Sequence, residues 1–137
     1  MAPQSKNVGH RRMFRILIVE DNLHFRGVFR GMLSERFPDV AISEAADGTE
    51  ALREVEDCPP DLVFMDIELP GENGLIITRK IKTAHPEVMV AVLTQYNLPE
   101  YEEAAFSSGA SYFLPKESTA LEDILTLVEN ICLQKNS

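Results

Sequence analysis

The sequence predicts a three-layer, doubly wound (βα)5 sandwich, an α/β fold with a five-stranded parallel sheet covered by helices on both faces. Two observations carry this. Short apolar runs alternate five times with longer segments in which apolar residues recur at helical spacing. Three of the runs, ILIV, LVFM and VMVAVL, contain no polar residue, as strands buried on both faces require. Parallel strands joined in this way take right-handed crossovers.

The elements follow in order. Phe14 to Val19 reads as the first strand. From Asn22 to Phe37 a helical stripe carries Leu23, Phe25, Val28, Phe29, Met32, Leu33 and Phe37, capped by Asp21 or Asn22 and closed by Pro38. Val40 to Ala45 is the second strand, Asp47-Gly48 a turn, and Thr49 to Asp57 a short helix ended by Pro59-Pro60. Leu62 to Met65 is the third strand, and the turn behind it holds Pro70, Gly71, Asn73 and Gly74. The third helix carries Leu75, Ile76, Ile81 and Ala84 and ends before Pro86. Val88 to Leu93 is the fourth strand, and Pro99 to Ser107 a weakly apolar helix closed by Gly109. Ser111 to Leu114 is the fifth strand. The last helix runs from about Thr119 to Cys132 with Leu121, Ile124, Leu125, Val128 and Cys132 on one stripe; Ser118 or Thr119 caps it and Glu122 is placed for a capping box.

The 137 residues suffice for one domain with its own core. Residues 1–12 read as a flexible tail whose Lys6, Arg11 and Arg12 are solvated, residues 13–134 as the domain, and 135–137 as a second short tail. A formal net charge of −9 argues against direct binding of nucleic acid or an anionic membrane. Cys58 and Cys132 fit neither a metal nor a redox spacing and point to a reducing compartment. No apolar run approaches a membrane span, and no secretory h-region follows the basic start, so the expected location is cytoplasmic.

Strands of a parallel sheet share one C-terminal edge, where ligands of such sheets bind. Four strand ends deliver reactive side chains there: Glu20 and Asp21 after the first, Asp66 after the third, Thr94 after the fourth and Lys116 past the fifth. The second strand ends in Ser43-Glu44 and adds nothing that stands out. Three carboxylates in one crevice repel one another and call for a cation. Oxygen ligands suit Mg²⁺, which takes one or two carboxylates together with a phosphate oxygen. A lysine adds a point charge for a phosphoryl group, and a threonine hydroxyl adds a donor. These parts fit phosphoryl transfer with Asp66 as the nucleophile. Singly, each has a structural reading: a helix cap for the acidic pair, a strand end for Thr94, a surface charge for Lys116, a turn former for Asp66. Their coincidence at the strand ends favours a site.

The segments RILIVEDN, FMDIELPGENGL, VLTQY and GASYFLPK, in this order and at these separations, resemble the receiver domain of two-component response regulators, typified by the bacterial chemotaxis regulator. The resemblance covers about Phe14 to Cys132. It implies a flavodoxin-like sheet of order 2-1-3-4-5 and a phosphoryl group accepted on Asp66 from a histidine kinase or phosphotransfer protein. It implies Mg²⁺ held by Asp21, Asp66 and the Glu68 carbonyl, with Glu20 acting through water. Thr94 and Lys116 would bind the phosphoryl group, and Phe113 holds the position of the switch aromatic. Such a domain catalyses only its own phosphorylation and dephosphorylation, and signals to a partner or by forming a homodimer. The dimer faces would be helix four, strand five and helix five, or helix one and helix five. An output domain belonging to the same protein is compatible with this.

The chain departs from the family at several positions. The acidic pair is Glu20-Asp21 instead of two aspartates, Glu117 replaces the proline after the lysine, and Phe113 lacks a hydroxyl. Tyr112 should point to the opposite face from Phe113 by strand alternation. Glu68 and Tyr96 flank the site, and Tyr96 is expected to shield the acyl phosphate. Tyr101, Phe106 and Phe113 mark a candidate output surface. Two other functions compete: an aspartyl-phosphate phosphohydrolase, which lacks here the Asp-x-Asp after the first strand and a cap domain, and an unphosphorylated scaffold, which would not need Asp21, Asp66, Thr94 and Lys116.

Overall fold

The computed structural model describes residues 13–135; the N-terminal tail and residues 136–137 lie outside the described residues. Five strands and five helices alternate: β1 Arg15–Val19, α1 Leu23–Arg36, β2 Ala41–Ala45, α2 Gly48–Asp57, β3 Leu62–Met65, α3 Gly74–Ala84, β4 Met89–Thr94, α4 Pro99–Ser107, β5 Tyr112–Pro115 and α5 Leu121–Lys135. All strand pairings are parallel, and the sheet order is β2-β1-β3-β4-β5, the order the sequence resemblance implies.

Side-chain alternation divides the core into two layers. Leu17, Val19, Val63, Met65, Val90 and Val92 pack against Ala51 and Val55 of α2, Ile77 and Ile81 of α3 and Ala105 of α4. Ile16, Ile18, Leu62, Phe64, Ala91 and Leu93 pack against Phe29 and Leu33 of α1 and against Ile124, Leu125, Val128 and Ile131 of α5. The central strand β3 is buried throughout, as its unbroken apolar run requires. Tyr112 joins the second layer and Phe113 the first, so the two aromatics point to opposite faces.

Local chemistry sets the helix starts. Asn22 Oδ1 accepts from Phe25 N at 2.9 Å, Asp47 Oδ1 from Glu50 N at 2.8 Å, and Asn73 Oδ1 from Leu75 N and Ile76 N, each satisfying donors that the first turn leaves unpaired. At α1 the cap is thus Asn22. The start of α5 departs from expectation. The segment Pro115–Thr119 closes its own turn, with Thr119 N donating to Pro115 O at 3.0 Å. The helix begins at Leu121, so Ser118 and Thr119 lie too early to cap it. Its buried stripe includes Ile131, whereas Leu121 is exposed and Cys132 only half-buried. Lys135, expected in a tail, closes this helix. On α1, Leu23 and Val28 are likewise exposed, because Phe29 and Leu33 alone are buried. The peptide bond before Pro115 is trans.

Candidate functional site

Because the strands are parallel and in register, Glu20, Asp66 and Thr94 arrive side by side at one edge of the sheet. Backbone hydrogen bonds lock the first two: Glu20 N donates to Ala45 O and Asp66 N to Val19 O, each at 3.0 Å. One carboxylate oxygen from each of Glu20, Asp21 and Asp66 falls in a cluster whose members all lie within 4.8 Å of one another. Glu20 and Asp66 are only 3% and 7% exposed, whereas Asp21 faces solvent. Above them opens a crevice of about 300 Å³ lined by Glu20, Asp21, Asn22, Asp66, Glu68, Gln95 and Lys116. Three oxygen donors of this type suit a hard divalent cation such as Mg²⁺.

Lys116 reaches the crevice from the end of β5. Its Nζ donates to Glu20 Oε1 at 2.8 Å and lies 4.1 Å from the centre of the Phe25 ring. Asn22 N donates to Glu20 Oε2 at 3.0 Å, so both oxygens of this buried carboxylate are engaged. Arg26 reinforces the same corner: its Nη1 donates to Glu20 O at 2.7 Å and its Nε pairs with Glu44 Oε1 at 2.7 Å. Glu44 also pairs with Arg30 at 2.6 Å. Burial raises the Glu44 carboxyl pKa, but the hydrogen bonds and charges of Arg30 and Arg26 outweigh it and hold the pKa below the usual value. The second strand therefore does contribute: Glu44 ties α1 to the sheet beside the site.

Asp66 is held in tension. Desolvation and the neighbouring Glu20 charge push its pKa up to about 7, against the opposing pull of Lys116 and of the Glu68 backbone N–H. A bound cation in the cluster would relieve that repulsion. Thr94 is fully buried on the same edge, and its Oγ1 accepts from Tyr96 N at 3.2 Å.

The rim of the crevice is closed by a bridge between two loops. Glu68 accepts from Gln95 Nε2 at 3.0 Å and from Tyr96 Oη at 2.6 Å. The Tyr96 ring stacks on Tyr101 of α4, with centroids 5.5 Å apart and an interplanar angle of 27°. Phe113 is half-buried and packs with Tyr101 against the core layer that holds α4.

Every site residue expected from the sequence lies at this edge or on the β5 and α4 side next to it. The sequence alone does not mark Gln95, Phe25, Arg26 or Glu44 as site residues. Gln95 directly follows Thr94, and Phe25 stood within the helical stripe of α1, so position relative to the acidic pair and the threonine was the one signal available for them.

The profile of the response regulator receiver domain family matches residues 16–129. The chain is 35% identical over 113 residues to a protein-glutamate methylesterase/protein-glutamine glutaminase of Pyrococcus abyssi, covering 80% of this chain and 30% of that protein. It is 33% identical over 118 residues to oxygen regulatory protein NreC of Staphylococcus haemolyticus, covering 85% of this chain and 54% of that protein. The chain thus spans about a third to about half the length of these curated relatives. Among solved structures, a two-component response regulator of the LuxR family from Aurantimonas sp. SI85-9A1 is similar with a TM-score of 0.80 and 31% identity, over 90% of this chain and 87% of that one. A two-component response regulator from Clostridium difficile is similar with a TM-score of 0.83 and 25% identity, over 91% of this chain and all of that one.

Proposed function

This chain belongs to the response regulator receiver domain family, and on that premise we propose that it is a cytoplasmic phosphorelay switch whose acceptor is Asp66. An Asp66 carboxylate oxygen attacks the phosphorus of a phosphohistidine on a kinase or phosphotransfer protein. The P–N bond breaks, the imidazole leaves with its electron pair, and an acyl phosphate remains on Asp66. Mg²⁺, held by the carboxylates of Asp21 and Asp66 and the Glu68 carbonyl, with Glu20 acting through water, would offset the charge gathering on the phosphoryl oxygens.

The chain's own residues do the remaining work. Asp66 sits at a rigid strand end, which fixes the direction of attack. The Thr94 hydroxyl and the Lys116 ammonium bind the phosphoryl oxygens, which requires Lys116 to turn away from Glu20, while Thr94 can donate its O–H and still accept from Tyr96 N. Tyr96 covers one side of the acyl phosphate and limits the approach of water. Phe113, packed in the layer that holds α4, carries the change outward by repacking the face made of α4, β5 and α5. The output is passed to a partner or to a second copy through that face or through the face of α1 and α5.

The observation that carries this reading is the convergence of three carboxylates within 4.8 Å beside a lysine at 2.8 Å and a buried threonine, delivered together by the ends of β1, β3, β4 and β5. The test is titration with beryllofluoride and Mg²⁺, followed by amide NMR. Wild type should respond with shifts that reach α4 and β5, and Asp66→Asn should not respond. Identical titrations of the two proteins would sink the reading. The methylesterase relative gives no support for esterase activity, since the chain spans 30% of that protein.

A further inference from the structure

Phe25 stands in the first turn of α1, where helices commonly carry an apolar residue for the core. Its surroundings are more specific than that. Its backbone N–H is held by the Asn22 cap at 2.9 Å. One ring face stacks on Phe29, with centroids 5.8 Å apart and planes 13° apart. Phe29 is buried and meets Phe64 of β3 edge-on at 4.9 Å and 89°. The Phe25 ring is thus stacked on a core aromatic that is itself packed against Phe64. The Lys116 ammonium lies over it, 4.1 Å from its centre. Phe25 also shares a narrow apolar gap with Glu20 and Asp66, lined by Ile18, Val19, Phe64 and Leu93.

A cation over an aromatic face is attracted by the ring quadrupole, more so where water is displaced. Lys116 is four-fifths covered, and its other partner is the Glu20 carboxylate at 2.8 Å. The ring belongs to α1 and the carboxylate to the residue that follows β1. A phosphoryl group on Asp66 needs the same ammonium. Ring and phosphoryl group therefore compete for one cation.

We propose that Phe25 is a positioning residue for the phosphoryl chemistry: its ring is the resting place of the Lys116 ammonium, and the strength of that contact sets how tightly a phosphoryl group is held at Asp66. The proposal rests on the reading of Asp66 as the phosphoryl acceptor. A purely structural Phe25 would fill space, and its electron distribution would not matter. A resting place for a cation depends on that distribution.

The experiment replaces Phe25 with its mono-, di- and trifluorinated phenylalanine analogues, which weaken the ring quadrupole stepwise at nearly constant shape. The dissociation constant of beryllofluoride is measured at saturating Mg²⁺ by amide NMR. It should fall stepwise, by roughly two- to fivefold across the series, the range that an attraction of this kind converts to. Urea unfolding of the unliganded protein gives a second reading: fluorination should lower the midpoint in wild type and leave it unmoved on a Lys116→Met background. A flat or rising series of dissociation constants overturns the proposal, and so does an equal midpoint change with and without Lys116. If wild type ignores beryllofluoride, or Asp66→Asn binds it equally well, the acceptor reading itself fails and this proposal falls with it.

Discussion

Tyr96 donates its hydroxyl to Glu68 at 2.6 Å, joining the loop after β3 to the loop after β4. The hydrogen bond to Glu68 raises the pKa of the phenol above its ordinary value, so the donor proton is retained throughout the physiological pH range. With its ring stacked on Tyr101, Tyr96 is held at the rim by two independent contacts. Tyr96→Ala removes both and opens a path for water, so the acyl phosphate should hydrolyse roughly three- to tenfold faster. Tyr96→Phe keeps the stack and should fall between the two. Release of phosphate after labelling with acetyl phosphate measures this, and an unchanged lifetime in Tyr96→Ala would show that the ring does not shield.

Asp66 makes stability depend on pH in a defined direction. Its pKa is about 7 in the fold against an ordinary value of 3.8, so between these values the folded state binds more protons than the unfolded one. Stability without metal should therefore be greatest below about pH 4 as far as this group is concerned, and should decline as pH rises through 7. Asp66→Asn abolishes the decline and should be more stable than wild type at pH 8 by about 2 kcal/mol, less than full linkage because water in the crevice screens the charge. Urea midpoints at several pH values test the sign. Mg²⁺ should stabilise wild type at pH 8 far more than Asp66→Asn.

Lys116 neutralises a carboxylate that has few other means of support. Removing its charge with Lys116→Met leaves Glu20 buried next to Asp66, and without metal this should cost about 1–3 kcal/mol. Glu20 would keep its bond from Asn22 N, which limits the loss. Added Mg²⁺ should return most of the lost stability in urea unfolding, because a divalent cation replaces the missing ammonium. If the loss is the same with and without Mg²⁺, Lys116 acts through packing alone.

The positions of Asp66, Glu20, Asp21, Thr94 and Lys116 were legible because a parallel sheet converts strand order into a shared edge, and apolar runs mark where each strand stops. Strand ends moved by a residue: Phe14 and Ser111 lie outside their strands, although Phe14 O and Ser111 N still make bonds next to the ladder. What the sequence could not show depends on loop paths and side-chain rotamers. The Glu68–Tyr96 bond joins two loops whose approach is set by the twist of the sheet. The Glu44 contacts with Arg26 and Arg30 require the angle at which α1 crosses β2. The start of α5 was misplaced because Ser118 and Thr119 have capping chemistry, and the turn anchored on Pro115 O delays the helix.

Two glycines in the turn behind Asp66 are there for different reasons, and they should fail differently. Gly71 has φ +83° and open space where a side chain would project, so Gly71→Ala carries backbone strain alone and should cost about 1–2 kcal/mol. Its affinity for beryllofluoride should stay close to that of wild type. Gly74 lies against Asp66: a methyl group there would run into the Asp66 carbonyl oxygen, with the carbonyl carbon 2.8 Å and Met65 Cγ 3.0 Å away. Its N–H is also held by Ile67 O at 2.7 Å, which leaves the turn little room to retreat. Gly74→Ala must push the Asp66 backbone or the start of α3 aside, at a cost of about 2–4 kcal/mol. Because Asp66 and the turn carrying Glu68 move with it, beryllofluoride binding should weaken at least about tenfold, as expected when reacting groups are misplaced by a fraction of an ångström to an ångström. Urea unfolding and beryllofluoride titration of the two variants side by side separate strain from displacement. A Gly74→Ala protein that is destabilised yet binds as well as Gly71→Ala would show that the turn adjusts without moving Asp66.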